Sequence, residues 1–246
     1  MSYPDWFNEI LRCPESGGKL KLENNVYYGS EGAAYKIDNE ILSIVFPKET
    51  SGEDARMNKF YNLLAPFYDF NERFWGKLIA GVDMVKGREN IVSLLGLRPG
   101  MRVLEVSPGP GVFHKLLHQS VGENGEIVSL DLSMSMLRQC QIRDKGLNIY
   151  LVQGNAQYLP FADDSFDALF HFGGLNLFND PQKAIDEFIR VVKGNGIVSW
   201  GDEGFSKDYP HNFRRKLLTR INPGYLKERP IVPLFNSAAS ERNIPF

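Results

Sequence analysis

Apolar and polar positions change their period twice along this chain of 246 residues. Between residues 20 and 45 short apolar runs alternate with turn residues. LKLE (20–23), NVYY (25–28), AAYKI (33–37) and EILSIV (40–45) are separated by Asn24-Asn25, Gly29-Ser30-Glu31-Gly32 and Asp38-Asn39. That spacing predicts a small antiparallel β module. Residues 5–12 predict one short amphipathic helix ahead of it, and the polar stretch 47–54 reads as a linker. The period then lengthens. KFYNLLAPFYDFNERFWGKLI is aromatic and helical in spacing up to Pro66, which breaks or restarts the helix. A further helical stretch, 77–95, stops at Gly96 and Pro99-Gly100.

From residue 101 strand-like and helical runs alternate. MRVLEV (101–106), EIVSL (126–130), NIYLV (148–152), FDALFHF (166–172) and GIVSWGD (196–202) predict strands. Helices are expected at about 111–120, 133–144 and 181–192. The alternation predicts an α/β fold, a Rossmann-like, mostly parallel sheet with helices on both faces. The expected division is a β-rich module over 1–47 and a main domain over 54–246, with a helical lid at about 54–96.

Composition narrows the function classes. The chain is 43% hydrophobic and 24% charged, with a formal net charge of -2. This is ordinary globular composition, with no basic excess to suggest a nucleic-acid binder. No apolar run approaches a membrane span, and the N-terminus lacks the pattern of a secretory signal. With two cysteines, Cys13 and Cys140, no disulfide framework is expected, and a cytoplasmic location is the default.

Chemistry concentrates after the first strand of the alternating region. Arg102 to Gly111 reads RVLEVSPGPG, and Val112, Phe113, Leu116 and Leu117 follow at helical spacing. Strand, tight loop and helix form the unit with which α/β proteins hold nucleotide-like ligands. Gly109 and Gly111 allow positive φ and leave room at the backbone. An ordinary βα turn also favours Gly and Pro, so the loop alone leaves both readings open. Asp131 ends the second strand. A carboxylate roughly 20 residues beyond the loop can accept hydrogen bonds from both ribose hydroxyls. Asp131 or Ser133 could equally cap the next helix, and Ser133 in that role leaves Asp131 free.

VLEVSPGPG, then SLDLSMSML, then GNAQYLPFADDSFDALF, resemble in order and spacing the class I S-adenosylmethionine-dependent methyltransferases. DPQKAIDEFIRVVKGNGIV is similar to that family's next helix and fifth strand, and the likeness covers about 57–205. The resemblance implies S-adenosyl-L-methionine as cofactor, S-adenosyl-L-homocysteine as product and a small-molecule methyl acceptor. It implies that Glu105 orients the cofactor's amino-acid part through the loop, and that Gly109 and Gly111 admit the methionine and ribose moieties. Asp131 would hold the ribose, Leu132 would flank the adenine or sit in the core, and Asn155 and Ala156 would face the adenine edge. His171 would stand beside the sulfonium and acceptor as a catalytic residue, or be a packed histidine. YNLLAPFYD resembles the lid helix of the quinone-biosynthesis type, which brings Tyr61 and Tyr68 to the cofactor. The surrounding aromatics suggest an apolar or aromatic acceptor.

The chain departs from the family pattern at three places. Ser107 replaces a glycine and is strained if the position needs positive φ. Asn155 replaces an aspartate, although its amide oxygen could accept from adenine. Asn195 replaces a proline and should alter only a turn. Ser107 and Asn155 favour an alternative, a non-catalytic cofactor-binding or interaction module. An NAD-linked oxidoreductase would need a third glycine where His114 stands.

LRCPESGGKLKL with AAYKIDNEILSI resembles the small zinc-ribbon-derived domain related to a methyltransferase activator subunit. Ser16 stands where such domains carry a second cysteine. Tetrahedral zinc needs four ligands, so no metal is expected and Cys13 reads as a packing residue. At the other end, 209–222 has helical character and several cationic residues, which suit a solvated face or an acidic group. Family sheets finish with an antiparallel hairpin. The expectation here is a sheet lacking its last one or two strands. That edge, or the N-terminal module, would serve a protein partner or a dimer.

Overall fold

The computed structural model describes residues 3–30, 32–49, 51–64, 84–201 and 216. The N-terminal part holds α1 (Asp5–Ile10), β1 (Lys21–Glu23), β2 (Val26–Tyr28), β3 (Ala34–Asp38) and β4 (Ile41–Ser43). Its hairpins turn where the sequence indicated. Asn24 and Asn25 have φ of 49° and 62°, and Asn39 and Glu40 have 47° and 66°, the left-handed pairs that two-residue hairpins require. The helices α2 (Gly52–Leu64) and α3 (Met84–Leu94) follow. Then come β5 (Arg102–Val106), α4 (His114–Val121), β6 (Glu126–Asp131), α5 (Met134–Arg143) and β7 (Ile149–Gln153). The last described elements are β8 (Phe166–Phe172), α6 (Pro181–Val191) and β9 (Val192–Gly201).

Among the described residues nine strands join one sheet in the order β1-β2-β3-β4-β7-β6-β5-β8-β9. The five strands from β7 to β9 run parallel. Val103, Leu104 and Val106 of β5 are all buried, as expected of a strand covered on both faces. Successive strands go outward from β5 in both directions, so the order reverses between β5 and β8. Ligands of open α/β sheets lie at the carboxyl ends of strands at such a reversal.

The module is continuous with this sheet. β4 lies parallel to β7, with Leu42 opposite Val152 and Ser43 opposite Gln153. Tyr3 stitches the seam: its hydroxyl donates to Leu151 O at 2.6 Å and accepts from Leu42 N at 2.8 Å. Phe7 of α1 is fully buried, stacked on Tyr3 at 4.4 Å and edge-on to Phe161 at 6.1 Å. The Arg102 guanidinium lies 4.0 Å over the Trp6 ring, whose indole N–H donates to Glu126. One hydrophobic cluster therefore holds Tyr27 and Tyr35 together with Leu104, Val128 and Phe188. Cys13 is buried, with Sγ 3.3 Å from the Tyr35 hydroxyl.

Local signals explain the helix ends. Ser133 caps α5 by accepting from Met136 N, and Asp180 caps α6 ahead of Pro181. Two boundaries differ from the sequence reading. α4 begins at His114 because Gly111, at φ 77°, still belongs to the turn. β9 begins at Val192, and the KGNG stretch is a bulge inside the strand rather than a turn before it. Phe166 faces Val192, but Ala168 faces Ile197. Lys193 Nζ, 2.6 Å from an Asp167 oxygen, holds the bulge. Apart from Lys216, the stretch 209–222 lies outside the described residues, as do the start of the helix expected at 77–95 and any closing hairpin.

The shared core makes the module's contribution measurable. Phe7→Ala should cost about 3–5 kcal/mol, the usual range for a buried phenylalanine, in urea unfolding. The loss should appear in a single transition for the whole chain. A separate early transition would show that the module's core is independent.

Candidate functional site

The loop after β5 and the end of β6 build the centre of the site. Ser107 has φ 56°, and its N–H donates to Leu130 O at 2.8 Å. The strain anticipated from the sequence is therefore present. Gly109 follows at φ 55°, and a Cβ built there would meet nothing within 4 Å. Its outer side is open, and only glycine leaves it so. Gly111, at φ 77°, is different. A Cβ there would come within 2.5 Å of His114 Nδ1 and 3.2 Å of Cys140 Sγ. Gly109 suits a ligand approaching from outside, whereas Gly111 answers to the packing beneath the turn.

Asp131 ties these pieces together. Its Oδ2 accepts from Gly109 N at 3.2 Å and its Oδ1 from Ser133 N at 2.8 Å. Burial raises its carboxyl pKa, the two N–H groups only partly oppose this, and the result is about 6. Glu105 lies under the turn, 2% exposed, with Oε2 2.9 Å from His114 Nε2. Leu132 is half-buried and lines a cavity of about 340 Å³ with Tyr35, Ser43, Lys48, Asn58 and Gln153. The module, α2 and the sheet thus meet at the residue next to Asp131.

The third loop engages Asn155 internally. Asn155 is buried, and its amide oxygen accepts from Gln157 N at 3.0 Å and from Gln157 Nε2 at 3.3 Å. That oxygen is engaged within its own loop. Ala156 beside it is buried. Gln157 also donates to Asp54 Oδ2 at 2.6 Å and accepts from Asp180 N at 2.8 Å. Asp54, near the start of α2, is buried and accepts from Asn179 N at 3.0 Å. Asn179 Oδ1 in turn accepts from Glu53 N at 2.8 Å. Further along α2, Asn62 Oδ1 accepts from Ser133 Oγ at 2.7 Å. Helix α2 is thereby fastened to the loops after β6 and β7. Sequence reasoning missed Asp54, Asn62, Gln157 and Asn179, because their partners lie 23 to 126 positions away.

His171 is fully buried, with Nδ1 2.9 Å from Val106 O and its ring near Phe178 and Phe188. These are the surroundings of a packed histidine, the alternative that the sequence left open. Tyr61 lies on α2, and Tyr68 falls outside the described residues. No helix among the described residues is long and apolar enough to cross a membrane.

Comparison with known proteins bears on this geometry. A family model described as a methyltransferase domain matches residues 104–199, the stretch from β5 into β9. Residues 104–199 are thus similar to a methyltransferase domain. The ubiquinone/menaquinone biosynthesis C-methyltransferase UbiE of Legionella pneumophila (strain Paris) is 40% identical over 109 residues, covering 43% of this chain and 44% of that one. A demethylmenaquinone methyltransferase of Desulfitobacterium hafniense (strain Y51) is 36% identical over 155 residues, 60% of this chain and 59% of its own. The chain thus spans about half the length of the curated relatives it matches. A structure from Methanococcus maripaludis, assigned as an S-adenosyl-L-methionine-dependent methyltransferase, superposes with a TM-score of 0.54. It is 20% identical and covers 82% of this chain and 90% of that one, which supports the shared fold.

The residues of the matched stretch fit S-adenosyl-L-methionine, the cofactor that the likeness implies. Gly109 leaves the space a Cβ would fill, and Asp131 puts a carboxylate, the acceptor that ribose hydroxyls need, beside it.

The three loop positions should separate by substitution. Ser107→Gly should stabilise the protein by about 0.5–1 kcal/mol, since a non-glycine left-handed residue costs about 1–2 kcal/mol and glycine returns part of that as chain entropy. Urea midpoints that are unchanged or lower would show the serine to be unstrained. Gly109→Ala should cost about 1–2 kcal/mol for its left-handed backbone alone, keep the fold and lose nucleoside-ligand affinity. Gly111→Ala should cost about 3 kcal/mol of stability through left-handed strain and overpacking.

Proposed function

We propose that the chain transfers a methyl group from S-adenosyl-L-methionine to a small-molecule acceptor. The observation that carries this reading is the bond from the open-faced Gly109 N–H to Asp131. It sets an open backbone face and a carboxylate suited to ribose side by side at the strand-order reversal. When bound, the cofactor supplies an activated methyl group on a sulfonium.

The chain's own residues bind and orient. Asp131 would accept from the ribose hydroxyls, keeping its oxygens in place through Ser133 N and Gly109 N. Leu132, half-buried beside it, would offer an apolar surface to the base. Asn155, with its oxygen already committed, would contribute through its loop backbone and Ala156. The α2 fastening at Asp54 and Asn62 would keep the lid close enough to exclude water. Holding acceptor and methyl donor in line accounts for most of the catalysis that such a transfer needs. A base is required only if the acceptor must lose a proton during attack.

The relatives named above are methyltransferases of quinone biosynthesis. Their names, with the aromatic lid segment, favour an apolar, ring-containing acceptor. A second reading, cofactor binding without transfer, is favoured by the left-handed Ser107 in the loop. Methyl transfer to a panel of aromatic acceptors separates the two.

Titration calorimetry with S-adenosyl-L-homocysteine tests the site directly. Native protein should bind, and Asp131→Ala should weaken binding by about tenfold or more, since a hydrogen bond to a charged group contributes about 1.5–3 kcal/mol. Only the ionised carboxylate accepts from both hydroxyls. Affinity should therefore be full above the Asp131 pKa of about 6 and fall as pH drops through it. No binding by the native protein at millimolar ligand would sink the proposal.

A further inference from the structure

Beneath the glycine turn lies a cluster that the cofactor reading leaves unused. His114 opens α4 and is fully buried. Its Nδ1 is 2.6 Å from Asp144 Oδ2. Its Nε2 is 2.9 Å from Glu105 Oε2 and 2.8 Å from Ser129 Oγ. Each ring nitrogen faces a carboxylate, and carboxylates only accept hydrogen bonds. Nε2 sits between Ser129 Oγ, its hydrogen-bond partner, and Glu105 Oε2; a neutral ring would accept there from Ser129, whereas a ring with hydrogen on both nitrogens gives each carboxylate a facing N–H. Two influences oppose a cation here: burial, and the N-terminal end of a helix, where N–H groups already concentrate positive charge. Only the paired carboxylates offset them.

The ring also meets the turn. Gly111 has no room for a Cβ above His114 Nδ1. Cys140 Sγ, packed at the same point, donates to Gly109 O at 3.1 Å. The Gly109 peptide is thus held at its N–H by Asp131 and at its carbonyl by Cys140, while Gly111 rests on the imidazole.

We propose that His114 is a positioning residue for cofactor binding: its two ring N–H groups hold Glu105 and Asp144 beneath the turn and set the Gly109–Gly111 path that receives the ligand. This rests on the S-adenosyl-L-methionine reading above. His114 acts through Glu105 and Gly111.

A pH signature follows. The titratable and charged groups around the ring are Glu105 on β5, Asp131 on β6, and Cys140, Arg143 and Asp144 at the end of α5. Burial lowers the His114 pKa, but Glu105 and Asp144 outweigh it and raise the value to about 9. A raised histidine pKa stabilises fully below the ordinary value of about 6.5, and that contribution disappears as pH rises through about 9. A neutral ring has one N–H and leaves one buried carboxylate without a donor.

The test compares S-adenosyl-L-homocysteine affinity of native protein and His114→Gln between about pH 7.5 and pH 10, spanning the loss of the imidazolium. The ligand's own amine titrates in this range, so the readout is the ratio of the two affinities, in which that titration cancels. The ratio should be about tenfold or more at the lower pH, because breaking one side of a buried charge pair is costly. It should shrink toward one at the higher pH. A ratio that is flat with pH, or close to one throughout, overturns the proposal. Asp144→Asn gives a second measurement if His114→Gln does not fold. Losing one carboxylate should move the fall in affinity to lower pH, and an unmoved fall overturns the proposal. Imidazole nitrogen NMR of the ligand-free native protein should show both His114 nitrogens protonated at neutral pH, and a single neutral tautomer would overturn it. Native protein that fails to bind the ligand overturns the methyltransferase reading and the positioning role with it. Native binding with a flat ratio overturns the role of His114 alone.

Discussion

A buried carboxylate is tolerated only when donors surround it, and this protein gathers three around one turn. Glu105 and Asp144 share the imidazole of His114, and Asp131 takes backbone N–H groups from Gly109 and Ser133. The turn is where these requirements meet. Its left-handed residues, Ser107, Gly109 and Gly111, are the conformations that bring an N–H to Asp131 and leave room for the ring below. The opening over Gly109 is thus a product of charge satisfaction underneath it.

A second network carries the same constraint outward. Gln157 spends its donor on Asp54 and its acceptor on Asp180 N, while its own N–H steadies Asn155. Asn179 caps the start of α2, and Asn62 reaches Ser133. Ser133 is also the cap of α5 and the neighbour of Asp131's second oxygen. Helix α2, the loop after β7 and the acidic strand end are linked through amide side chains and the buried Asp54 carboxylate. Breaking the bonds to Asp54 would leave a buried charge without donors, so the network resists opening at that end.

Much of this was legible in the sequence because it is local. Strand and helix periods placed the elements from Arg102 to Gly201, and the loops Asn24-Asn25 and Asp38-Asn39 marked real turns. Ser107 announced its strain because a strand–loop–helix junction of this form needs positive φ. What stayed hidden depends on contacts distant in sequence. Nothing in EILSIV shows that Leu42 will lie parallel to Val152. His114 read only as a position lacking glycine, since Asp144 stands 30 residues away. The glycines of the turn looked equivalent, although one faces outward space and the other a side chain. Asn155 looked like a weakened ligand residue, and its oxygen turned out to be engaged within its own loop.

The seam between β4 and β7 has a consequence for how the molecule meets others. A parallel sheet that stopped at β7 would present a strand of buried, apolar residues, Ile149 to Val152, with unpaired backbone groups. That is a template for unwanted strand addition. Tyr3 and β4 cover it and carry the sheet outward through three more strands. On that side it ends at β1, a three-residue strand bearing Lys21 and Glu23. So short and charged a strand gives a foreign chain little to pair with. Among the described residues the N-terminal module therefore leaves this side of the sheet ending on a short charged strand instead of on the apolar β7.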